Sequence, residues 1–146
     1  ARGEVSYWSQ ATIPWVSISD MTNSEYINKT KEEISVAASS VMGEISPVGS
    51  LLMSFKLTVG RTSILNIDAY HNEAIISIYP FIDDKYALRD YLFYTLPFLS
   101  NMGDSKDAIK GKTLNSKSLK SLLIPLPPLR EQRCIINRLE ELYAHL

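Results

Sequence analysis

Two short polar stretches of this chain carry the side chains that could recognise a ligand, and the chemistry they offer is binding rather than bond-making. The first is Ser54-Phe55-Lys56-Leu57-Thr58-Val59-Gly60-Arg61-Thr62-Ser63. The second runs from Lys106 to Lys120, with Lys110-Gly111-Lys112-Thr113 at its centre and Asn115 and Lys117 close behind. Duplex DNA is held by cations and short polar side chains on its phosphates, and read by donors and acceptors at base edges. Arg pairs in bidentate fashion with guanine and Asn with adenine. Arg61, Asn72 and Asn115 are therefore the base-reading candidates, and Lys56, Lys110, Lys112 and Lys117 the phosphate candidates. A strand continuing through the first stretch would put Ser54, Lys56 and Thr58 on one face. A lone surface Lys or Arg is most often just a solvated charge, so each of these needs geometry to support it.

Catalytic patterns are missing. There is no GxSxG elbow, P-loop, GxGxxG fingerprint or HExxH helix, and no motif for S-adenosylmethionine. Two histidines, His71 and His145, and one cysteine cannot assemble a structural zinc site. His71 beside Asn72 reads as a polar turn residue, and Asp83–Asp84 as a helix cap more readily than as an acid pair. The chain is expected to be no enzyme, with no catalytic residue, metal or cofactor of its own. An unrecognised small hydrolase would need a nucleophile–base pair that is not visible.

The elements that must carry these residues form one domain of 146 residues, 45% hydrophobic and 21% charged. No apolar run is long enough to span a bilayer, so no membrane partner is expected. The single cysteine fits a reducing cytoplasm. It is Cys134, in the last predicted helix, where burial or simple tolerance explains a thiol better than reactivity. A net charge of −1 argues against nucleic-acid binding until its distribution is considered. Residues 106–138 hold eight basic against two acidic residues, whereas residues 1–105 hold seven against twelve. From the residues alone the basic third reads first as a solvated face of a neutral protein, and only second as a surface that a polyanion would meet.

Strands are predicted over Ile13–Ile18, Ser50–Phe55, Arg61–Ile67 and Ala74–Tyr79, with a tight bend at Gly60, and a short one at Leu122–Ile124. Met21–Thr30 is turn-rich. The spacing of Ile34, Ala37, Ala38 and Val41 predicts a helix over Glu32–Met42. Asp83 or Asp84 should cap a second helix through Leu96, which Pro97 ends or bends. Asn115 or Ser116 should cap a short helical turn. Pro125, Pro127 and Pro128 then stop the chain, and Pro128 suits the first turn of a last helix. There Ile135, Leu139, Leu142 and Leu146 follow the 4-3-4 spacing of a coiled-coil seam, too short to be stable alone. The expected fold class is α+β: a mixed, twisted β-sheet domain with short helices and a truncated C-terminal coiled-coil-type helix. Its division is a globular domain over 1–127 and the start of a helical extension over 128–146.

The run IPLPPLREQRCIINRL, Ile124 to Leu139, resembles the signature that closes a target recognition domain in the specificity subunits of type I restriction–modification systems. Earlier blocks resemble the same family in the same order. TIPWVSISDM (Thr12–Met21) is similar to its opening strand block, PVGSLLMSFKLTVGRTSI (Pro47–Ile64) to its central block, and HNEAIISIYP (His71–Pro80) to its N-x-A strand. The chain begins at Ala1 and carries one recognition-like unit where a full subunit usually has two, so it reads as an excised domain or half of such a subunit.

The resemblance implies a cytoplasmic, sequence-specific DNA-binding component that reads one half of a bipartite double-stranded target. It implies docking of methyltransferase (modification) subunits, with the restriction subunit a further candidate. A second recognition domain, or a second copy, would pair through the C-terminal helix; methyl transfer and restriction would reside in other chains. Trp15, in the opening block, is expected to pack the core, and Leu129–Gln132 to fix the turn into the last helix. The alternatives are the recognition domain of a fused type II restriction–methyltransferase, and a protein-interaction module acting through its last helix without DNA contact.

Overall fold

Short aliphatic runs between turn formers make seven strands in the computed structural model, which describes residues 3–21, 25–56, 58–102 and 119–145. They are β1 (Ile13–Val16), β2 (Tyr26–Ile27), β3 (Glu32–Ile34), β4 (Leu51–Ser54), β5 (Thr62–Leu65), β6 (Tyr70–His71) and β7 (Ile75–Ile78). The helices are α1 (Val36–Ser39), α2 (Ala87–Met102) and α3 (Leu129–Tyr143), with a 3-10 turn at Val5–Tyr7. A three-stranded sheet has the order β3-β1-β6 and a four-stranded sheet the order β2-β5-β4-β7. Each mixes parallel and antiparallel pairs. The mixed α+β class with a C-terminal helix is the one expected.

Side-chain alternation along β4 explains the layering. Leu52 points into one core with Val16, Met21, Ile27, Leu65, Ala69 and Ile75. Leu51 and Met53 point the other way and join Ile64 in packing on Tyr91, Leu92 and Leu96 of α2 and Ile136 of α3. The four-stranded sheet is thus covered on both faces, which is why β4 and β5 are buried at every position. A third cluster packs Trp15 and Ile34 with Ala38; the Trp8 ring meets Trp15 edge-on at 5.3 Å. Trp15 is a core residue, as expected.

Four local expectations are corrected. The helix predicted over Glu32–Met42 begins as a strand: Glu32, Glu33 and Ile34 pair antiparallel with Trp15, Pro14 and Ile13. Helical turns start only after Ser35, whose hydroxyl accepts from Ala38 N at 3.2 Å and donates to Ser6 O at 2.8 Å. Pairing with β1 outweighs a helical periodicity that serine and β-branched residues already weaken. β2 and β6, two residues each, are too short to leave a periodic signal. The strand predicted at Leu122–Ile124 is absent: that segment is irregular and Leu123 is 87% exposed. The three prolines that follow leave few donors for a ladder, and the segment is tied instead by the Tyr91 hydroxyl donating to Pro125 O at 2.7 Å. Pro97, finally, does not end α2, which runs five residues beyond it.

Asp83 rather than Asp84 caps α2: its two carboxylate oxygens accept from Leu88 N at 2.8 Å and Arg89 N at 3.2 Å. Asp84 instead pairs with Arg133 of α3. At the entry to α3, Pro128 sits one position earlier than expected, as the N-cap. Gln132 is buried, and its side chain donates to Pro127 O at 2.8 Å. Within the Leu129–Gln132 stretch, Gln132 thus ties the first turn of α3 back to the segment before it. Cys134 is exposed on the outer side of α3, so tolerance, not burial, explains it.

Candidate nucleic-acid interface

β4 and β5 form a hairpin whose connection, residues 55–61, carries the first polar stretch. β4 ends at Ser54, so Ser54, Lys56 and Thr58 do not share a strand face. Ser54 is fully buried. Its hydroxyl accepts from Arg61 N at 3.1 Å and donates to Thr58 O, closing the loop from inside. Ser54 N donates to Arg61 O at 2.9 Å, and Gly60 N to Ser54 O at 2.8 Å. Gly60 has φ +84, a value that favours glycine. Ser54 is thus a shaping residue and is withdrawn as a DNA contact, because a side chain with no accessible surface cannot reach a groove. Thr58 is exposed at the tip, while Lys56 and Arg61 are half-buried beside it. The Lys56 ammonium lies 5.5 Å from the Phe55 ring centroid, a contact that steadies a long side chain.

Asn72 lies next door. Ser54 of β4 pairs with Ile75 of β7, and Phe55 N donates to Ala74 O at 2.9 Å, so the 72–74 turn abuts the root of the hairpin. Asn72 Oδ1 accepts from Ala74 N at 2.9 Å, and its backbone N–H donates to Val16 O at 3.0 Å. That arrangement explains the N-x-A pattern physically: an Asx turn needs the Asn, and a 5%-exposed position between strands needs a side chain as small as Ala74. Asn72 accordingly has a local structural duty as well as its place in the cluster. Lys56, Thr58, Arg61 and the Asn72 turn share one end of the four-stranded sheet. Lys110, Lys112, Asn115 and Lys117, together with the capped turn predicted at Asn115 or Ser116, lie outside the described residues.

His71 is a structural group. A carbonyl can only accept, so Nδ1 donates to Asn72 O at 3.1 Å, and Nε2 lies 3.1 Å from Ser77 Oγ. Ser77 Oγ in turn lies 2.6 Å from Ser46 Oγ. This hydroxyl chain bridges the two sheets. Among the described residues no group of three His, Cys, Asp or Glu could hold a metal. No described helix is long and apolar enough to cross a membrane.

Beside the hairpin, a cleft of about 330 Å³ is lined by Glu25, Thr62, Phe93, Tyr94, Pro97, Phe98 and Tyr143. Burial, followed by the charges of Glu25 and Glu140, pushes the Tyr94 hydroxyl up to about 12, so it stays protonated. Tyr94 stacks on Tyr143 of α3 at 5.9 Å, interplanar angle 12°. Burial, then Glu140 and Asp90, also raises the Glu25 carboxyl, with Arg89 opposing.

The seam proposed for a partner helix is partly used within the domain. Ile135 packs against the core that buries Ile136, Leu139 is half-buried and Leu142 is 50% exposed. Leu146 lies outside the described residues. The buried residues of α3 are Gln132, which continues the seam spacing one step back from Ile135, and Ile136, one position off it, where α2 and the four-stranded sheet pack.

Residues 3–146 match the family described as Type I restriction modification DNA specificity domain. The type I restriction enzyme MjaIX specificity subunit of Methanocaldococcus jannaschii is 27% identical over 135 residues, covering 88% of this chain and 30% of that protein. The EcoBI specificity subunit of Escherichia coli is 37% identical over 65 residues, 44% of this chain and 14% of its own length. Two solved structures share the fold. One, from a study of complex assembly and conformational transition of the type I R-M system, has a TM-score of 0.66 at 23% identity and covers 99% of this chain and 34% of its own. The other, the HsdS subunit from Thermoanaerobacter tengcongensis, has a TM-score of 0.64 at 24% identity and covers 96% of this chain and 32% of its own. The chain therefore spans about a third or less of the length of these relatives.

Proposed function

The chain belongs to the type I restriction–modification DNA specificity domain family, and we propose that it reads DNA sequence as one recognition unit of a specificity subunit. The reading is carried by the gathering of Lys56, Thr58, Arg61 and the Asn72 turn at one end of a sheet that is packed on both faces. Such a scaffold holds a polar hairpin rigidly enough to meet base edges, while the layers behind it supply no chemistry. Its target would be one half of a bipartite double-stranded site. Arg61 is the base reader of choice, with Asn115 a second candidate; Lys56 and Thr58 hold phosphates, and Lys110, Lys112 and Lys117 are further phosphate candidates by residue type.

The recognition unit spans 1–127 and the spacer helix begins at 128, its first turns doubling as a cover for α2 through Ile136. The outer part of that helix, Leu139 and Leu142 onward, would meet an equivalent helix of a second recognition domain or a second copy. Modification subunits, with the restriction subunit beyond them, would assemble on the combined scaffold in the cytoplasm and perform the catalysis.

Selection from randomised duplex DNA tests this reading: a short fixed set of base pairs should be enriched. Lys56→Ala should then weaken all sequences alike and reduce the slope of log affinity against log salt by roughly one. Arg61→Ala should cost about 1–3 kcal/mol on the selected site and relax preference at one position. Enrichment that survives both substitutions unchanged would overturn the assignment of the hairpin.

A further inference from the structure

Pro97 interrupts α2 at the point where the hairpin touches it. A proline has no N–H to return to the carbonyl one turn earlier, here Phe93 O. That carbonyl accepts instead from Thr62 Oγ1, at 2.8 Å, from outside the helix. Thr62 is the first residue of β5 and is 8% exposed. Two residues back, Gly60 is buried against the next turn of α2. A Cβ on Gly60 would collide with Ser100 Oγ and lie 3.4 Å from Pro97 O. Ser100, 3% exposed, donates its hydroxyl to the same Pro97 carbonyl at 3.3 Å.

The hairpin limb is therefore held at two points, and both lead to Pro97: one through its missing N–H, the other through its carbonyl. Between the two points stands Arg61. Its own N–H and carbonyl are engaged by Ser54. A bidentate contact to a base edge discriminates only if the backbone behind it is held to a fraction of an ångström. Ordinary helix-on-sheet packing would supply burial here without a hydroxyl aimed at the one carbonyl that a proline leaves unserved.

We propose that the Pro97 interruption of α2 is a docking point that orients the Arg61-bearing limb, making Thr62 and Ser100 positioning residues for sequence discrimination. The proposal rests on the DNA-recognition reading above. It is tested by measuring, for the wild type, Thr62→Ser, Thr62→Val and Thr62→Val/Pro97→Ala, the ratio of affinities for the selected and a scrambled duplex, with thermal unfolding alongside. Thr62→Ser keeps the hydroxyl and should keep the wild-type ratio. In Thr62→Val the ratio should fall by roughly tenfold or more, with affinity for the scrambled duplex held within roughly twofold. In the double variant the Pro97→Ala change restores the missing N–H, so stability should return while discrimination does not. Full discrimination in Thr62→Val, or its return together with stability in the double variant, would overturn the proposal. A wild type that enriches no sequence would instead overturn the DNA reading on which it rests.

Discussion

Removing the Thr62 hydroxyl should destabilise the fold by an amount that depends on residue 97. Thr62→Val keeps the shape and the β-branching of a strand residue but withdraws the donor that lies 2.8 Å from Phe93 O. Because Pro97 cannot serve that carbonyl, the substitution leaves a partly buried acceptor without the hydroxyl, at a cost of about 1–2 kcal/mol. In a Pro97→Ala background the new N–H can bond Phe93 O in the ordinary helical way, and the same Thr62→Val change should cost under about 0.5 kcal/mol. The coupling between the two positions is thus about 1 kcal/mol, well above the scatter expected of independent sites. Urea unfolding of the wild type, Thr62→Val, Pro97→Ala and the double variant measures it, with unchanged m-values as the condition for reading midpoints as stability. For a chain of this size the single variant should also melt lower by roughly 3–6 °C. Additive effects, within about 0.3 kcal/mol, would refute the idea that the proline-orphaned carbonyl is what holds the strand.

Two further outcomes are expected. Asn72→Ala removes the acceptor for Ala74 N and should cost about 1 kcal/mol, whereas Asn72→Asp, which keeps an Asx oxygen, should cost less; equal losses in denaturant titrations would deny the Asx turn its role. Glu25 has a folded-state carboxyl raised by burial and by Glu140 and Asp90, so the folded chain holds its proton better than the unfolded chain does. Its favourable contribution is complete below the unfolded value, about 4.3, and is lost as pH rises through the raised folded value. Glu25→Gln should therefore raise the melting temperature at about pH 7 and lose that gain near pH 4, and a gain of equal size at both would point to packing rather than charge.

The sequence alone determined the features that depend on local covalent chemistry. Pro125, Pro127 and Pro128 dictate a stop before the last helix, Gly60 a tight bend, and Asp83 or Asp84 a helix start, whatever the rest of the chain does. Short apolar runs between turn formers marked β1, β4, β5 and β7 to within a few residues, and β4 and β5, buried at every position, need such continuous runs. The candidate Arg61, Lys56 and Thr58 were legible as types, and the block resemblance as an order of motifs. Tertiary structure decided what those residues do. Ser54 looks like any polar strand residue until its neighbours enclose it completely. Glu32–Ile34 is a strand only because β1 lies alongside. The heptad spacing of α3 shows a seam, but α2 lies one position round the helix and claims Ile136. Pro97 reads as a helix stop or bend because its missing N–H is a local fact; the hydroxyl that meets the orphaned carbonyl comes from Thr62, 31 residues away in the chain. Local propensity acts over a few bonds, whereas burial and pairing depend on which distant segments the fold brings together.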